Sequence, residues 1–278
     1  MARKAMRRPP FLPFLEGPPE FRVGLTPIPA GAWLAPDLET DWLTGKGVLL
    51  SARRDEVFRA APGSEAAQGE VERLICAALS VTLSSDDAPA LVRAARLVSD
   101  DLIIMAPNAD GAWSAQAVCL CAPTFFSAAD SIGKSLDGLH GPVPDRLGPN
   151  ETQALGSRIA RMFDGLRDGL VLERFNWTVQ ASNARFTPDG APLRRLAETT
   201  RAEDAASVLH LRVERQTIRR LPETGAVLFT IRIALDPLKA VFAVEGAREA
   251  FLHAWRHAPA HVRAYKKWAV YERLVAVL

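Results

Sequence analysis

Apolar and polar residues alternate most regularly between Val208 and Leu235. Leu209, Leu211 and Val213 interleave with His210, Arg212 and Glu214, and after Pro222-Glu223-Thr224-Gly225 the run Val227, Phe229, Ile231, Ile233, Leu235 repeats the pattern. A period of two is that of a strand with one apolar face, so two such runs around a Pro/Gly turn predict a long antiparallel hairpin. Elsewhere the period lengthens. From Ser64, the spacing of Val71, Leu74, Ile75, Ala78 and Leu79 predicts a helix, and a second starts near Asp87 with Leu91, Ala94, Ala95 and Val98. Leu102 to Met105, the turn Asn108-Ala109-Asp110-Gly111 and Trp113 to Cys121 predict another hairpin. Ser127 with Asp130 reads as a capping-box start of a short helix reaching Leu136. That helix must end within Gly138 to Pro144, because Pro142 and Pro144 lack amide donors and restrict the residues before them. Asn150 reads as the cap of a helix to about Leu166, Phe175 to Val179 as a strand. Two closing helices, Glu245 to His257 and Ala260 to Val277, flank Pro259. Residues 9–36 are proline-rich and irregular, a segment expected to drape over a core without building one. Helices, hairpins and helices again predict an α+β fold around an antiparallel sheet.

The bulk numbers narrow the partners. A chain of 278 residues with 48% hydrophobic content can bury a sizeable core, and we expect a flexible tail over 1–20 and a single domain over 21–278. Net charge is only +2, which gives no field suited to nucleic acid or an anionic membrane surface. The basic residues Arg3, Lys4, Arg7 and Arg8 precede Pro9 and Pro10 rather than an apolar run, so neither a secretory signal nor a spanning segment is expected. A cytoplasmic location is the expectation. Cys76, Cys119 and Cys121 read as small buried apolar residues, since an i, i+2 pair in a strand does not reach disulfide geometry. Nucleotide-binding glycine motifs, H-E-x-x-H, G-x-S-x-G and ferredoxin cysteine spacings are all missing. His253, His257 and His261 recur at spacing four, but Pro259 interrupts them and Arg256, Arg263, Lys266 and Lys267 surround them, so a solvated basic face is expected.

Two places can carry chemistry. His140 follows a short helix and precedes a rigid Gly-Pro-Val-Pro turn, which suits either a firmly placed axial ligand or a structural loop histidine. On the hairpin, His210, Arg212 and Glu214 share one side, with Arg215, Gln216, Arg219 and Arg220 nearby. Guanidinium forks bind carboxylates through paired hydrogen bonds, and a glutamate beside them can hold an ammonium. The alternative is an exposed strand with internal Arg–Glu pairing, which contributes only ~0–1 kcal/mol.

The run Leu211-Arg-Val-Glu-Arg-Gln-Thr-Ile-Arg-Arg-Leu-Pro222, with Gly225-Ala-Val-Leu-Phe-Thr-Ile-Arg232, resembles the signature of the heme-dependent oxidative N-demethylase family. Asp100 to Met105, Cys119 to Pro123, Ile132-Gly133-Lys134, Leu139 to Pro144 and Phe175 to Thr178 resemble further blocks, in order from about residue 22 to 266. The resemblance implies a PAS-like antiparallel sheet enclosing heme b, with flanking N- and C-terminal helices. It implies a monooxygenase subunit that converts a secondary amine and O2 to a primary amine and an aldehyde. Electrons would come from NAD(P)H through a flavin/iron–sulfur reductase on another chain. His140, in the matching block, is carried over as the heme iron ligand. Glu214 is carried over as the catalytic pocket residue, and Arg212, Arg215 and Arg219 as cofactor-binding arginines. After Ile231-Arg232-Ile233 the family pattern leads one to expect an aromatic residue, and here stands Ala234. A PAS-like heme sensor or carrier without oxygenase activity is the alternative function.

Overall fold

The computed structural model describes residues 8–20, 24–35, 40–83, 86–140 and 155–278, apart from the side chains of Thr40 and His140. Within it the chain forms an α+β fold. Seven strands make one sheet in the order β1-β5-β6-β7-β3-β4-β2, with antiparallel pairing of β1 with β5, β2 with β4, and β3 with both β4 and β7. The described residues divide into two compact units, one within 23–174 and 216–232, the other within 1–22, 175–215 and 233–278.

The first unit opens with β1 (Thr26–Ile28), α1 (Thr40–Ala52), α2 (Arg54–Val57) and β2 (Phe58–Ala60). The two expected helices follow as α3 (Glu65–Leu79), with Ser64 at its N-cap position and no side-chain capping bond, and α4 (Ala90–Ala95). The first expected hairpin is β3 (Asp101–Pro107) and β4 (Trp113–Cys119), with Leu102 opposite Cys119 and a register shift at Ile104/Met105. Its turn is held by Asn108, whose side chain accepts from the Asp110 and Ala112 amides. Lys46 of α1 is fully buried, and its Nζ donates to the Val98 carbonyl at 2.8 Å and to that of Asp100, tying α1 to the start of β3. A buried ammonium needs such acceptors to offset its desolvation.

Ser127 and Asp130 do form a capping box, but its helix, α5 (Ala128–Ser131), lasts one turn. The expected continuation to Leu136 is broken at Gly133, whose φ of +72° lies outside the helical region. The Gly133 amide donates to the Ala115 carbonyl and the Ala115 amide to that of Lys134, so this link runs along β4. The chain then re-enters a helix as α6 (Leu136–His140), packed against α7 (Leu155–Asp164). Gly156 of α7 makes that packing possible: a Cβ there would stand 2.9 Å from the Asp137 backbone nitrogen. Trp113 secures α7 to β4, its Nε1 donating to Asp164 at 2.8 Å and its ring meeting Phe163 edge-on at 5.1 Å. The expected cap at Asn150 lies outside the described residues.

The third expected strand is β5 (Val171–Ala181), followed by α8 (Ala191–Thr199) and α9 (Ala205–Val208). The long hairpin is β6 (Leu209–Arg220) and β7 (Val227–Pro237). Its turn closes through Leu221 N–H to the Ala226 carbonyl at 2.8 Å, with Gly225 at φ +73°. Glu70 of α3, itself buried, accepts from the Glu223 amide (2.8 Å), the Thr224 amide (3.0 Å) and the Thr224 hydroxyl (2.7 Å). One carboxylate therefore pins the hairpin end.

The second unit is completed by α10 (Leu238–Val241), α11 (Ala247–His257), α12 (Ala260–Tyr265) and α13 (Glu272–Val275). Its core is aromatic: Trp255 and Trp268 stack at 4.0 Å and 8°, and Trp177, Phe251 and Phe14 pack around them. Phe14 is 1% exposed, so the proline-rich segment supplies a core residue rather than only covering one. The single closing helix expected from Ala260 to Val277 is interrupted at Lys267, which adopts φ +54°. That turn delivers Trp268 into the core, where its Nε1 donates to Thr178 Oγ1 at 2.9 Å. Ala234 is buried in the same core. Among the described residues, no helix is long and apolar enough to cross a membrane.

Candidate functional site

The first unit contains a cavity of about 400 Å³, within the ~300–1,000 Å³ typical of small-molecule sites. Its walls are mostly apolar, supplied by Trp33, Leu74 and Ala78 of α3, and Leu97 and Val98 beyond α4. Two guanidinium groups complete it: Arg219 from β6 and Arg232 from β7.

These two cations differ. Arg232 donates from Nε and Nη2 to Asp100 Oδ2 at 2.9 and 2.5 Å, and from Nη2 to the Ala35 carbonyl at 3.2 Å. The side chains of this pair are 8% and 0% exposed, so Asp100 balances Arg232 inside the protein. Arg219 instead lies over the indole of Trp33, 4.4 Å from the ring centroid, and Trp33 is itself buried. Among the described residues, the buried Nε of Arg219 meets no hydrogen-bond acceptor. Burial holds its guanidinium below the usual arginine value, with the charge of Glu70 acting in the opposite direction. A half-buried cation lining a largely apolar cavity is chemistry suited to an apolar ligand that carries an anionic group.

The other residues singled out in the sequence fall as follows. Glu214, with Arg212 and Arg215, belongs to the second unit. Asn176 Nδ2 donates to Glu214 Oε2 at 3.2 Å, and Lys266 Nζ donates to Asn176 Oδ1 at 2.8 Å. The Tyr265 phenol is pushed up by burial and then by the charge of Glu214, which places these groups in one polar cluster. Arg212 is fully buried, and its Nη1 donates to Gln180 Oε1 at 2.9 Å. The side it shares with His210 and Glu214 is therefore not a uniformly exposed face, because a polar residue can be buried once it is partnered. Arg215 is buried as well. His210 is half-buried, its Nδ1 paired with the Val208 carbonyl at 2.9 Å.

His140 is the last residue of α6 in the first unit; its side chain and the Gly-Pro-Val-Pro run after it lie outside the described residues. The three cysteines are free, with Cys119 and Cys121 buried, and the Cys121 thiol is pushed up by its hydrogen bond with Cys119 and by burial. On α11, the rings of His253 and His257 stack at 4.1 Å, with His257 Nδ1 paired to the His253 carbonyl. Sequence reasoning reached Arg219 but missed Trp33 and Arg232 as cavity-lining residues and Asp100 as the buried partner of Arg232. The only local signal for the pair was an acidic residue before one strand and an arginine on an apolar-rich strand far along the chain.

A family model described as haem-dependent oxidative N-demethylase, alpha subunit-like, matches residues 79–276. Comparison with curated proteins gives no match.

Proposed function

The chain belongs to the haem-dependent oxidative N-demethylase, alpha subunit-like family, and from that premise we propose that it is the heme-carrying subunit of a PAS-like oxygenase that dealkylates a secondary amine. The overall change takes one N-methyl amine, O2, two electrons and two protons to the demethylated amine, formaldehyde and water. The electrons would come from NAD(P)H through a flavin/iron–sulfur reductase on a separate chain. Bound heme b would supply the activation of dioxygen.

The observation that carries this reading is the cavity of the first unit. Heme is a flat apolar ring with two carboxylates; the cavity offers apolar side chains and the Arg219 guanidinium, while its lining among the described residues includes no side chain able to hold the iron. Trp33, Leu74 and Leu97 would hold the ring and keep water from it. His140, at the end of α6 in the same unit, is the residue proposed to hold the heme iron. Glu214 is the proposed partner of the amine's ammonium, with Asn176 holding one of its carboxylate oxygens. Arg212 and Arg215 complete the proposed set of arginines; because Arg212 already serves Gln180, its replacement perturbs the strand before it perturbs chemistry.

The test is reconstitution with hemin. The full chain is expected to give a Soret band, and His140→Ala to abolish or strongly shift it. An unchanged band in that variant removes His140 from the ligand role. With an artificial reductant, aldehyde release from a panel of secondary amines is expected; binding of heme without aldehyde from any amine refutes the oxygenase reading in favour of a sensor or carrier.

A further inference from the structure

We propose that the exposed face of α11 and α12 is the docking surface for an acidic electron-transfer protein. This rests on the heme reading above, which draws its electrons from another chain. The net charge of only +2 conceals a division within the molecule. The second unit holds 18 Lys and Arg against 11 Asp and Glu, whereas the first holds 16 against 21. The imbalance is sharpest over residues 250–271, which contain Arg256, Arg263, Lys266, Lys267 and three histidines but no Asp or Glu. Folding brings these cations to one region. α11 turns Phe251, Ala254 and Trp255 inward and leaves His253, Arg256 and His257 exposed. Beyond α12, Lys267 is exposed in its left-handed conformation while Trp268 enters the core. Because Trp255 and Trp268 stack at 4.0 Å, their chain neighbours Arg256 and Lys267 emerge on adjoining parts of the surface. Arg263 joins the two parts: its Nη1 donates to the Trp255 carbonyl at 2.6 Å, and its guanidinium lies 5.9 Å from the Trp268 ring centroid.

Two of these cations have work within the fold. Arg263 pairs with Glu272, and Lys266 donates to Asn176 Oδ1 at 2.8 Å. The side chains of Arg256 and Lys267 enter no hydrogen bond or ion pair among the described residues. Tyr265 of α12, 41% exposed, adds an aromatic surface to the same segment. Tyrosine and arginine are the side chains that protein interfaces favour, and rim charges set the partner and the rate of encounter. With no carboxylate in the segment to oppose it, this field steers a carboxylate-rich surface over roughly a Debye length. A nucleic acid would need a field along an extended polyanion, which a chain of net charge +2 does not provide. A compact acidic protein needs only this one face. The family is described by an alpha subunit, which calls for a companion chain.

The experiment titrates the full-length protein, with and without hemin, with a plant-type [2Fe–2S] ferredoxin, a small acidic one-electron carrier. Calorimetry reads binding. On the hemin-loaded chain, stopped-flow absorbance follows one electron passing from the reduced cluster to the ferric heme iron. Arg256→Glu with Lys267→Glu is expected to weaken ferredoxin binding about 10-fold at low salt and to slow reduction in proportion. Both differences should vanish near ~0.5 M salt. Circular dichroism and hemin uptake should not change, since both side chains are exposed. Arg54→Glu with Arg167→Glu makes the same change in total charge at two exposed positions of the first unit, and is expected to leave ferredoxin binding within about twofold. If the first double variant does not fold, Arg256→Gln with Lys267→Gln is expected to give a smaller loss, about 3-fold. Equal losses in the two double variants, or none in the first, overturn the docking face. A short DNA duplex bound as tightly as ferredoxin overturns the choice of a protein partner. Hemin uptake without ferredoxin binding overturns the face and leaves the heme reading standing. Charge-dependent ferredoxin binding by a chain that takes up no hemin overturns the electron-donor role together with the heme reading.

Discussion

Replacing Asp100 by Asn removes a charge without changing shape, and so isolates the electrostatic part of the buried Asp100–Arg232 pair. Both side chains are almost wholly withdrawn from water, at 0% and 8% exposure. The backbone here is held independently, because Lys46 donates to the Val98 and Asp100 carbonyls whatever side chain stands at position 100. The substitution therefore leaves an uncompensated guanidinium in the interior. Breaking such a pair from one side costs about 3–5 kcal/mol, and the amide oxygen of Asn, still able to accept one hydrogen bond, keeps the loss near ~3 kcal/mol. For a chain of this size that corresponds to a fall in melting temperature of roughly 6–12 °C. Urea unfolding followed by tryptophan fluorescence and far-UV circular dichroism measures it. The companion variant Asp100→Leu with Arg232→Met removes both charges, and its stability is expected to return close to wild type, since an apolar replacement of a buried pair is often neutral or better. A loss below ~1 kcal/mol in the single variant, or a double variant as unstable as the single, refutes the argument that Arg232 depends on Asp100. It would also return Arg232 to the pool of cations available to a ligand.

Three further outcomes follow from other contacts. Glu70→Ala strips the acceptor from two amides and a hydroxyl of the β6–β7 turn, and is expected to cost about 2–4 kcal/mol in chemical denaturation; a change within ~0.5 kcal/mol would mean that the turn holds itself. Gly156→Ala forces α6 from α7, because its Cβ would meet the Asp137 backbone nitrogen at 2.9 Å; under the proposed ligand role of His140 it should shift or weaken the Soret band of the hemin complex, and an unaltered band speaks against α6 as the ligand's carrier. His210 is held below its ordinary value of 6.5 by burial, with the Val208 carbonyl opposing. The unfolded chain thus takes up the proton first, so His210 contributes stability that is present above that value and lost as the pH falls through the folded-state one. His210→Gln is expected to flatten this part of the stability–pH curve, and an identical acid limb in both proteins removes His210 as its cause.

Periodicity located the strands because it reports which residues want an apolar surface. It did not report which polar residues are buried. Arg212 shares the phase of His210 and Glu214 on β6, yet it is fully enclosed because Gln180 lies within reach of its guanidinium. Likewise, the helical pattern from Ala260 onward was legible, but the left-handed residue Lys267 was not, since the demand for it comes from Trp268 stacking on Trp255 in the core. A propensity is local, and such demands are tertiary. The same limit applies to Trp33: inside a proline-rich stretch it had no periodic partner, and its importance comes from Arg219, far along the chain.

The arginines of the hairpin show where sequence and structure divide the work. As residues on one strand they are equivalent, each a cation able to fork a carboxylate. What separates them is prior engagement. Arg212 donates to Gln180, and Arg232 across the β6–β7 turn is neutralised by Asp100. Arg219 faces a cavity with a buried donor that meets no acceptor among the described residues. A binding group has to keep some of its hydrogen-bonding capacity for the ligand, since capacity already satisfied within the protein gains little on binding. By that criterion charge alone does not separate them; position does, since Arg219 lines the cavity with its guanidinium 4.4 Å from the Trp33 ring centroid, whereas Arg212 is enclosed beside Gln180.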